Sequence, residues 1–181
     1  MTESVRTELV SARLRLWRFC LSLTRNRASA EDLMQSTCVR ILERAHQFRR
    51  GTRFDSWMFR IAQTVWLNEV RRDQLRAEQS FSGGDLDELT SPTDPERDAA
   101  GRDVLNAVLS LPEAQRVTIL LVYVEGFSYA ETAEILDIPL GTVMSRIGAG
   151  RRSLARGPLG ESNGDTTASI ASAVERGAAL S

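Results

Sequence analysis

The sequence predicts an all-α fold with two small helical domains joined by a flexible linker. Apolar residues recur at helical spacings along most of the 181-residue chain, and no stretch shows sustained alternation of apolar and polar residues. The apolar share of 42% is enough for a buried core. Charge is distributed unevenly, since residues 1–79 carry a net charge of +6 and residues 80–103 carry −5. An acidic segment therefore follows a basic first half, which fits either an anion-binding half or a set of solvated helix faces.

The first half, residues 1–79, predicts a bundle of three helices. The first helix covers residues 5–24 and carries a wide apolar stripe. Its residues at helical spacing are Leu14, Trp17 and Leu21, and beside them lie Leu16, Phe19 and Leu23. Ser29 is the predicted N-cap of the second helix, and Asp32 reaches back to complete a capping box. The third helix follows the break at Gly51.

Residues 80–102 are predicted to form a linker and residues 157–181 a mobile tail. The linker contains Gly83, Gly84 and Pro92, which interrupt regular structure. The tail is rich in Gly, Ser, Ala and Thr, a composition typical of poorly ordered termini.

Residues 103–156 predict a second helical domain that ends in a helix-turn-helix. A short helix begins at a capping box formed by Ser128 and the Glu three residues later. A tight corner follows at Asp137, a residue type that tolerates left-handed backbone geometry. The next helix is expected to bury Val143 and Ile147 and to leave its outer face free to enter a DNA major groove.

The composition argues against several classes of protein. His46 is the only His, and Cys20 and Cys38 are the only Cys, so we expect no metal site, no cofactor and no Ser-His-Asp triad. No phosphate-binding loop is present, and an enzyme is not expected. The longest apolar run, residues 117–124, is too short to cross a bilayer, and the N-terminus has no signal-peptide pattern. We therefore expect a cytoplasmic protein without membrane insertion, with reduced thiols that act as small apolar residues.

The two halves together resemble the extracytoplasmic-function (ECF) sigma factors of bacterial RNA polymerase over residues 5–156. The first half is similar to sigma region 2 in the segments SAEDLMQSTCVRILERAHQF and FDSWMFRIAQTVWLNEVRRD. The second half is similar to sigma region 4 in the segment LPEAQRVTILLVYVEGFSYAETAEILDIPLGTVMSRI. The run NEVRR and Met144 are also similar to the general-stress-response subgroup.

The resemblance implies promoter-specific transcription initiation and assigns a role to three groups of residues. The group expected to bind the β′ clamp coiled coil of the RNA polymerase core is Asp32, Leu33 and Gln35. The group expected to open and contact the minus-ten element of promoter DNA is Trp57, Arg60, Thr64, Asn68, Arg71 and Arg72. The group expected to contact the minus-thirty-five element is Thr142, Ser145, Arg146 and Arg151. The resemblance also implies a contact with the β flap of the polymerase and an anti-sigma factor that holds the protein inactive.

Some residues have a second interpretation, and some depart from the family. Trp57 lies in the apolar stripe of its helix, so core packing is the first expectation for it. Thr64 stands where the family usually has Asn, which puts the base preference in doubt. Met144 and Ala149 replace residues that are often basic in the family. Gly148 and Gly150 are expected to weaken their helix, each by roughly 1 kcal/mol relative to Ala.

Two other functions stay open at this point. The weakened recognition helix fits a sigma-like decoy that binds an anti-sigma factor without binding DNA. The second half alone fits an ordinary helix-turn-helix repressor or activator, which binds DNA tightly by itself, commonly as a dimer on a palindrome. That function leaves the first half without a role.

Overall fold

The structure is a computed structural model that describes residues 2–49, 51–79 and 106–156. The chain divides into two compact units, Met1–Thr93 and Asp94–Ser181. All regular elements in the described residues are helices, which confirms the predicted all-α class. The predicted linker and tail lie outside the described residues. No described helix is both long and apolar enough to cross a membrane.

The described part of the first unit contains four α-helices and one 3₁₀ turn. In chain order they are α1 (Thr2–Ser11), α2 (Arg13–Thr24), α3 (Arg27–Glu43), the 3₁₀ turn (Ala45–Gln47) and α4 (Phe54–Gln79). The helix predicted over residues 5–24 is thus two helices, interrupted at Ala12. Hydrogen bonds from the Ala12 N–H to the Glu8 carbonyl and from the Leu16 N–H to the Ala12 carbonyl carry the ladder across the interruption.

The core of the first unit lies where α2, α3 and α4 pack together. Phe19 of α2 and Phe59 of α4 are fully buried, and their ring centroids are 4.8 Å apart. The buried residues of α2 are Leu16, Phe19, Cys20, Ser22 and Leu23. Leu16, Phe19 and Leu23 of the predicted apolar stripe are buried, whereas Leu14 at its edge is 42% exposed. Helix α2 is apolar on several sides, so the spacing alone does not distinguish the buried face from its neighbour.

The N-cap of α3 is Asn26, not the predicted Ser29. The Asn26 side chain accepts a hydrogen bond from the Ser29 N–H at 3.0 Å, so Ser29 lies within the first turn of the helix. Helix α2 ends at Arg25, which has a left-handed backbone with φ of 58°. The chain therefore turns between α2 and α3 within two residues, and the helix begins earlier than the capping-box pattern indicated.

The described part of the second unit contains four α-helices and one π turn. In chain order they are α5 (described over residues 106–110), α6 (Glu113–Ile119), the π turn (Leu120–Val124), α7 (Tyr129–Leu136) and α8 (Leu140–Arg156). Helix α8 packs against both α6 and α7. The apolar run at residues 117–124 does not form one regular α-helix. It changes to π geometry instead, with a hydrogen bond from the Glu125 N–H to the Leu120 carbonyl.

A buried Arg closes one end of this core. Arg116 is 1% exposed and donates hydrogen bonds to the carbonyl oxygens of Leu109 and Leu111, at 3.3 Å and 2.6 Å. These carbonyls lie at the end of α5 and in the corner before α6, where the helical ladder does not use them. The guanidinium therefore ties the start of the described second unit to α6.

Candidate nucleic-acid interface

The second unit contains the predicted helix-turn-helix in α7 and α8. The Ser128 Oγ accepts a hydrogen bond from the Glu131 N–H at 3.2 Å, and the Glu131 carboxylate accepts one from the Ser128 N–H at 2.8 Å. This is the capping box that the sequence predicted. Helix α7 ends at Asp137, which has a left-handed backbone with φ of 53°, as its residue type allowed. Helix α8 begins three residues later at Leu140.

Helix α8 has one buried face and one open face. The buried residues, spaced by three and four along the helix, are Val143, Ile147, Gly150 and Leu154. Ser145 and Arg151 are exposed, whereas Thr142 and Arg146 are half-buried along one flank. The structure thus leaves all four predicted DNA-contacting residues of this helix at least partly accessible to a ligand.

The electrostatics of α8 favour a polyanion. Its sequence contains four Arg residues and no acidic residue: Arg146, Arg151, Arg152 and Arg156. The Ser145 hydroxyl donates a hydrogen bond to the Thr142 carbonyl at 2.9 Å and keeps an oxygen lone pair free to accept another. An α-helix with this charge and one open face fits the width of a DNA major groove.

Tyr123 belongs to this surface, although sequence reasoning missed it. Its phenol interacts electrostatically with Tyr129 and with the Arg151 guanidinium. Burial, followed by the neighbouring Tyr129, raises the pKa of Tyr123, while Arg151 opposes the rise. Tyr123 therefore stays neutral at neutral pH, next to a predicted DNA-contacting Arg. It lies in the π turn, and no sequence signal indicated that this turn would place it against α8.

In the first unit, one side of α4 gathers the residues predicted for the minus-ten element. These residues recur at spacings of three and four, and they are Trp57, Arg60, Thr64, Asn68 and Arg71. Thr64, Asn68 and Arg72 line a small cleft together with Arg40 of α3 and Arg44, the residue that follows α3. The Thr64 hydroxyl donates to the Arg60 carbonyl at 2.8 Å, so its oxygen is left to accept a further hydrogen bond. Three Arg residues around one cleft suit an anionic ligand.

Trp57 lies at the beginning of α4, within an aromatic cluster. Its ring centroid is 5.2 Å from that of Phe48 and 6.0 Å from that of Phe54. Phe48 and Phe54 are buried, whereas Trp57 is only half-buried. The indole therefore packs on the core with one side and remains accessible on the other, which allows both the packing role and a contact with a base.

The residues predicted to bind polymerase are divided between surface and core. Asp32 and Gln35 are exposed on α3, but Leu33 is 1% exposed and packs inside the unit. Leu33 therefore supports α3 from within and is not itself on the surface. Gln35 lines a groove of about 430 Å³ between α3 and α4; its other lining residues are Ser36, Val39, Arg40, Glu43, Val65, Glu69 and Arg72.

The thiols and acidic residues offer no separate chemistry in the described residues. Cys20 is buried and Cys38 half-buried, and desolvation raises the pKa of both thiols, which disfavours the reactive thiolate. The described ranges contain no group of three or more His, Cys, Asp or Glu side chains that could hold a metal ion.

Comparison with known families matches both units. The family described as "Sigma-70 region 2" matches residues 9–76, and the family described as "Sigma-70, region 4" matches residues 101–154. These are the two regions that the sequence resembled, in the same order.

Curated relatives carry the same family name. The chain is 35% identical to the ECF RNA polymerase sigma factor SigE of Mycolicibacterium smegmatis over 77% of this chain, but it spans only 56% of that relative's length. It is 29% identical to EcfG of Rhodopseudomonas palustris, over 86% of this chain and 85% of the relative. It is 33% identical to the sigma-E factor of Escherichia coli, over 68% of this chain and 70% of the relative.

Two solved structures are similar in fold to this chain. The sigma factor RpoE of Bartonella quintana, crystallised in complex with the anti-sigma factor NepR, matches with a TM-score of 0.75 and 25% identity, over 85% of this chain and 96% of that chain. CnrH, in complex with the cytosolic domain of CnrY, shares the fold with a TM-score of 0.58 at 18% identity. With both regions matched and relatives of this identity and coverage, the chain belongs to the family of ECF RNA polymerase sigma factors.

Proposed function

We propose that this protein is a promoter-specificity subunit of RNA polymerase, which binds the core enzyme, directs it to promoters and helps to open the duplex. The observation that carries the proposal is the presence of an Arg-bearing helix face in each unit, on α4 and on α8, in a chain of this family. A promoter with two separated elements needs two such surfaces. The core polymerase supplies the catalysis, so the protein itself is an initiation factor and not an enzyme, and it works in the cytoplasm with the polymerase.

The two units have different tasks in this proposal. The exposed Asp32 and Gln35 contact the clamp coiled coil of β′, and the buried Leu33 keeps α3 in place behind them. The Arg-lined side of α4, with Thr64 and Asn68 in its cleft, takes the minus-ten element. A splayed base would stack on the accessible side of Trp57.

Helix α8 takes the minus-thirty-five element. Ser145 and Arg146 face the base edges, and Arg151, next to Tyr123, binds a phosphate. We assign a second polymerase contact, the β flap, to this unit by family membership alone.

The proposal includes an anti-sigma factor as the regulator. Its support is the Bartonella quintana relative, which was crystallised with the anti-sigma factor NepR and matches 85% of this chain. A protein that covers α4 and α8 would block both DNA-binding surfaces at once.

The structure weakens the case for a decoy. That alternative depended on a recognition helix weakened by two Gly residues. A β-carbon at Gly150 would lie 2.5 Å from Ile119 Cδ1, so this Gly lets α8 pack on α6 without displacing the Ile119 side chain. The open, basic face of α8 and the cleft on α4 are also features that a decoy does not need.

Reconstituted transcription tests the proposal. Core polymerase from the source bacterium is mixed with the full chain and a library of genomic promoter fragments, and run-off products are compared with those from core alone. We expect new transcripts that share a pair of upstream motifs. Absence of protein-dependent transcripts together with absence of core binding would overturn the proposal and favour the decoy. Absence of transcripts with core binding intact would point to a missing activator or an impaired recognition helix.

Two variants and one control sharpen the experiment. Arg146→Ala should weaken promoter binding by about 1–3 kcal/mol without changing core binding. Asp32→Arg should weaken core binding, because it reverses a charge on the exposed side of α3. Arg6→Ala is the matched control, since Arg6 is an exposed Arg on α1 that forms a surface ion pair with Glu3 at 3.9 Å.

A further inference from the structure

The open face of α8 carries an apolar pair in an otherwise basic helix. Leu140 and Met144 are four residues apart, so they lie on the same side of the helix, and they are 48% and 56% exposed. Gly148 continues the row without a side chain, and the Arg152 guanidinium comes within 3.4 Å of the position that a Gly148 β-carbon would take. Along this row, two apolar side chains are followed by Gly148, which has no side chain, and then by the positively charged Arg152.

The charges around this row favour nucleic acid over a protein as its occupant. Helix α8 contains four Arg residues and no acidic residue, and Arg151 and Arg152 are exposed beside the row. The missing side chain at Gly148 lets another surface approach the helix backbone closely. In the major groove the distinctive apolar group of a base edge is the C5-methyl of thymine, and a neighbouring phosphate would take the cation.

We propose that Met144, supported by Leu140, reads the C5-methyl group of a thymine in the upstream promoter element. Burying a methyl group against the Met side chain is favourable, whereas cytosine or a purine at that place leaves the apolar pair facing water or polar atoms. The pair would then contribute sequence specificity that none of the Arg contacts to phosphate can supply. This inference rests on the proposed function.

The test removes the methyl group from the DNA and the thioether from the protein. Each thymine of the upstream element found by run-off transcription is replaced in turn by deoxyuridine, which keeps base pairing and lacks only the methyl. Promoter binding by the full holoenzyme is measured at one fixed salt concentration. We expect a loss of about fourfold at one thymine, the value of one buried methyl group.

The protein variants assign that loss to Met144. Met144→Ala should bind the thymine promoter about as weakly as the native protein binds the deoxyuridine promoter, and deoxyuridine should cause no further loss. Met144→Leu should restore the sensitivity to deoxyuridine. The matched control is Val10→Ala, which removes a 75% exposed apolar side chain in the other unit and should keep the full sensitivity.

The outcomes separate this inference from the function on which it rests. Active transcription with no effect of deoxyuridine at any thymine, or an upstream element without thymine, would overturn the assignment of Met144 and leave the sigma function standing. A deoxyuridine effect that persists in Met144→Ala would also overturn it. Loss of binding to a protein regulator in Met144→Ala, with unchanged promoter binding, would assign the row to that regulator. Absence of transcription together with absence of core binding would overturn both proposals.

Discussion

Gly150 of α8 lies so close to α6 that a β-carbon on it would be 2.5 Å from the Cδ1 of Ile119 and 3.6 Å from the Cβ of Gln115. Real carbon atoms do not approach to the first of these distances, and Ile119 is itself fully buried. The Gly that should weaken an isolated helix therefore permits α8 to pack against α6. Gly148, two residues earlier, has only the flexible end of Arg152 nearby.

The two Gly residues should respond oppositely to the same substitution. Gly150→Ala should lower the free energy of unfolding of the second unit by about 1–2 kcal/mol, because the overpacking cost exceeds the gain in helix propensity. Gly148→Ala should raise it by roughly 0.5–1 kcal/mol. Urea unfolding followed by far-UV circular dichroism measures both changes.

Two controls test this interpretation of the Gly150→Ala and Gly148→Ala substitutions. Trp17, Trp57 and Trp66, the only Trp residues of the chain, all lie in the first unit, so Trp fluorescence should report an unchanged transition. Adding Ile119→Val, which deletes Cδ1, should make Gly150→Ala less costly than it is alone. Equal stabilisation by the two Ala substitutions would show that the close approach to Ile119 does not destabilise the Gly150→Ala variant.

Substitution of Arg116 should lower the stability of the second unit more than substitution of most other residues there. It is 1% exposed and donates to the carbonyl oxygens of Leu109 and Leu111. Arg116→Met keeps much of the side-chain volume but leaves buried carbonyls without these donors, and we expect a loss of about 2–4 kcal/mol in the free energy of unfolding. The change should appear in the circular dichroism transition and not in Trp fluorescence. The exposed Arg6→Ala, used as the matched control, should change the stability by less than about 0.5 kcal/mol.

Local signals in the sequence predicted the helix-turn-helix well. The capping box at Ser128, the left-handed Asp137 and the burial of Val143 and Ile147 all depend on neighbouring residues, and the structure confirms each of them. The match to both sigma regions confirms the family that the two segments resembled.

The features that the sequence did not predict depend on competition between two suitable residues or on contacts between residues far apart in the chain. Asn26 and Ser29 are both suitable N-caps three residues apart, and the capping-box pattern selected the wrong one. Leu33 matched a binding motif, yet its position on α3 directs its side chain into the core, where it is buried. The need for Gly at position 150 is set by Ile119, which lies 31 residues earlier in the chain. Spacing along one helix carries no information of this kind.

Glu69 should make the stability of the first unit depend on pH. Burial raises its pKa, Arg72 opposes the rise, and Asp73 and Asp32 add to it. A carboxyl whose pKa is higher in the folded than in the unfolded state binds more protons when folded, so stability falls as the pH rises through that window. Glu69→Gln should therefore be more stable than the native protein near pH 7, and the gain should vanish at about pH 3, where both states are protonated. Trp fluorescence during urea unfolding at a series of pH values measures this. A gain that stays constant down to the acidic end would contradict the assignment to titration of Glu69.

Substitutions of Tyr123 and Arg151 should both weaken promoter binding, but only that of Arg151 should change how binding depends on salt concentration. Arg151→Ala removes a charge next to DNA, so the slope of log binding constant against log salt concentration should become shallower by about one. Tyr123→Phe removes only the hydroxyl that interacts with the Arg151 guanidinium. It should weaken binding by about threefold to tenfold, the worth of one hydrogen bond, and leave the slope nearly unchanged because the charge remains. Holoenzyme binding to promoter DNA across a salt series measures both. A Tyr123→Phe variant that binds like the native protein would show that Arg151 needs no positioning, and additive losses in the double variant would show that the two residues act independently.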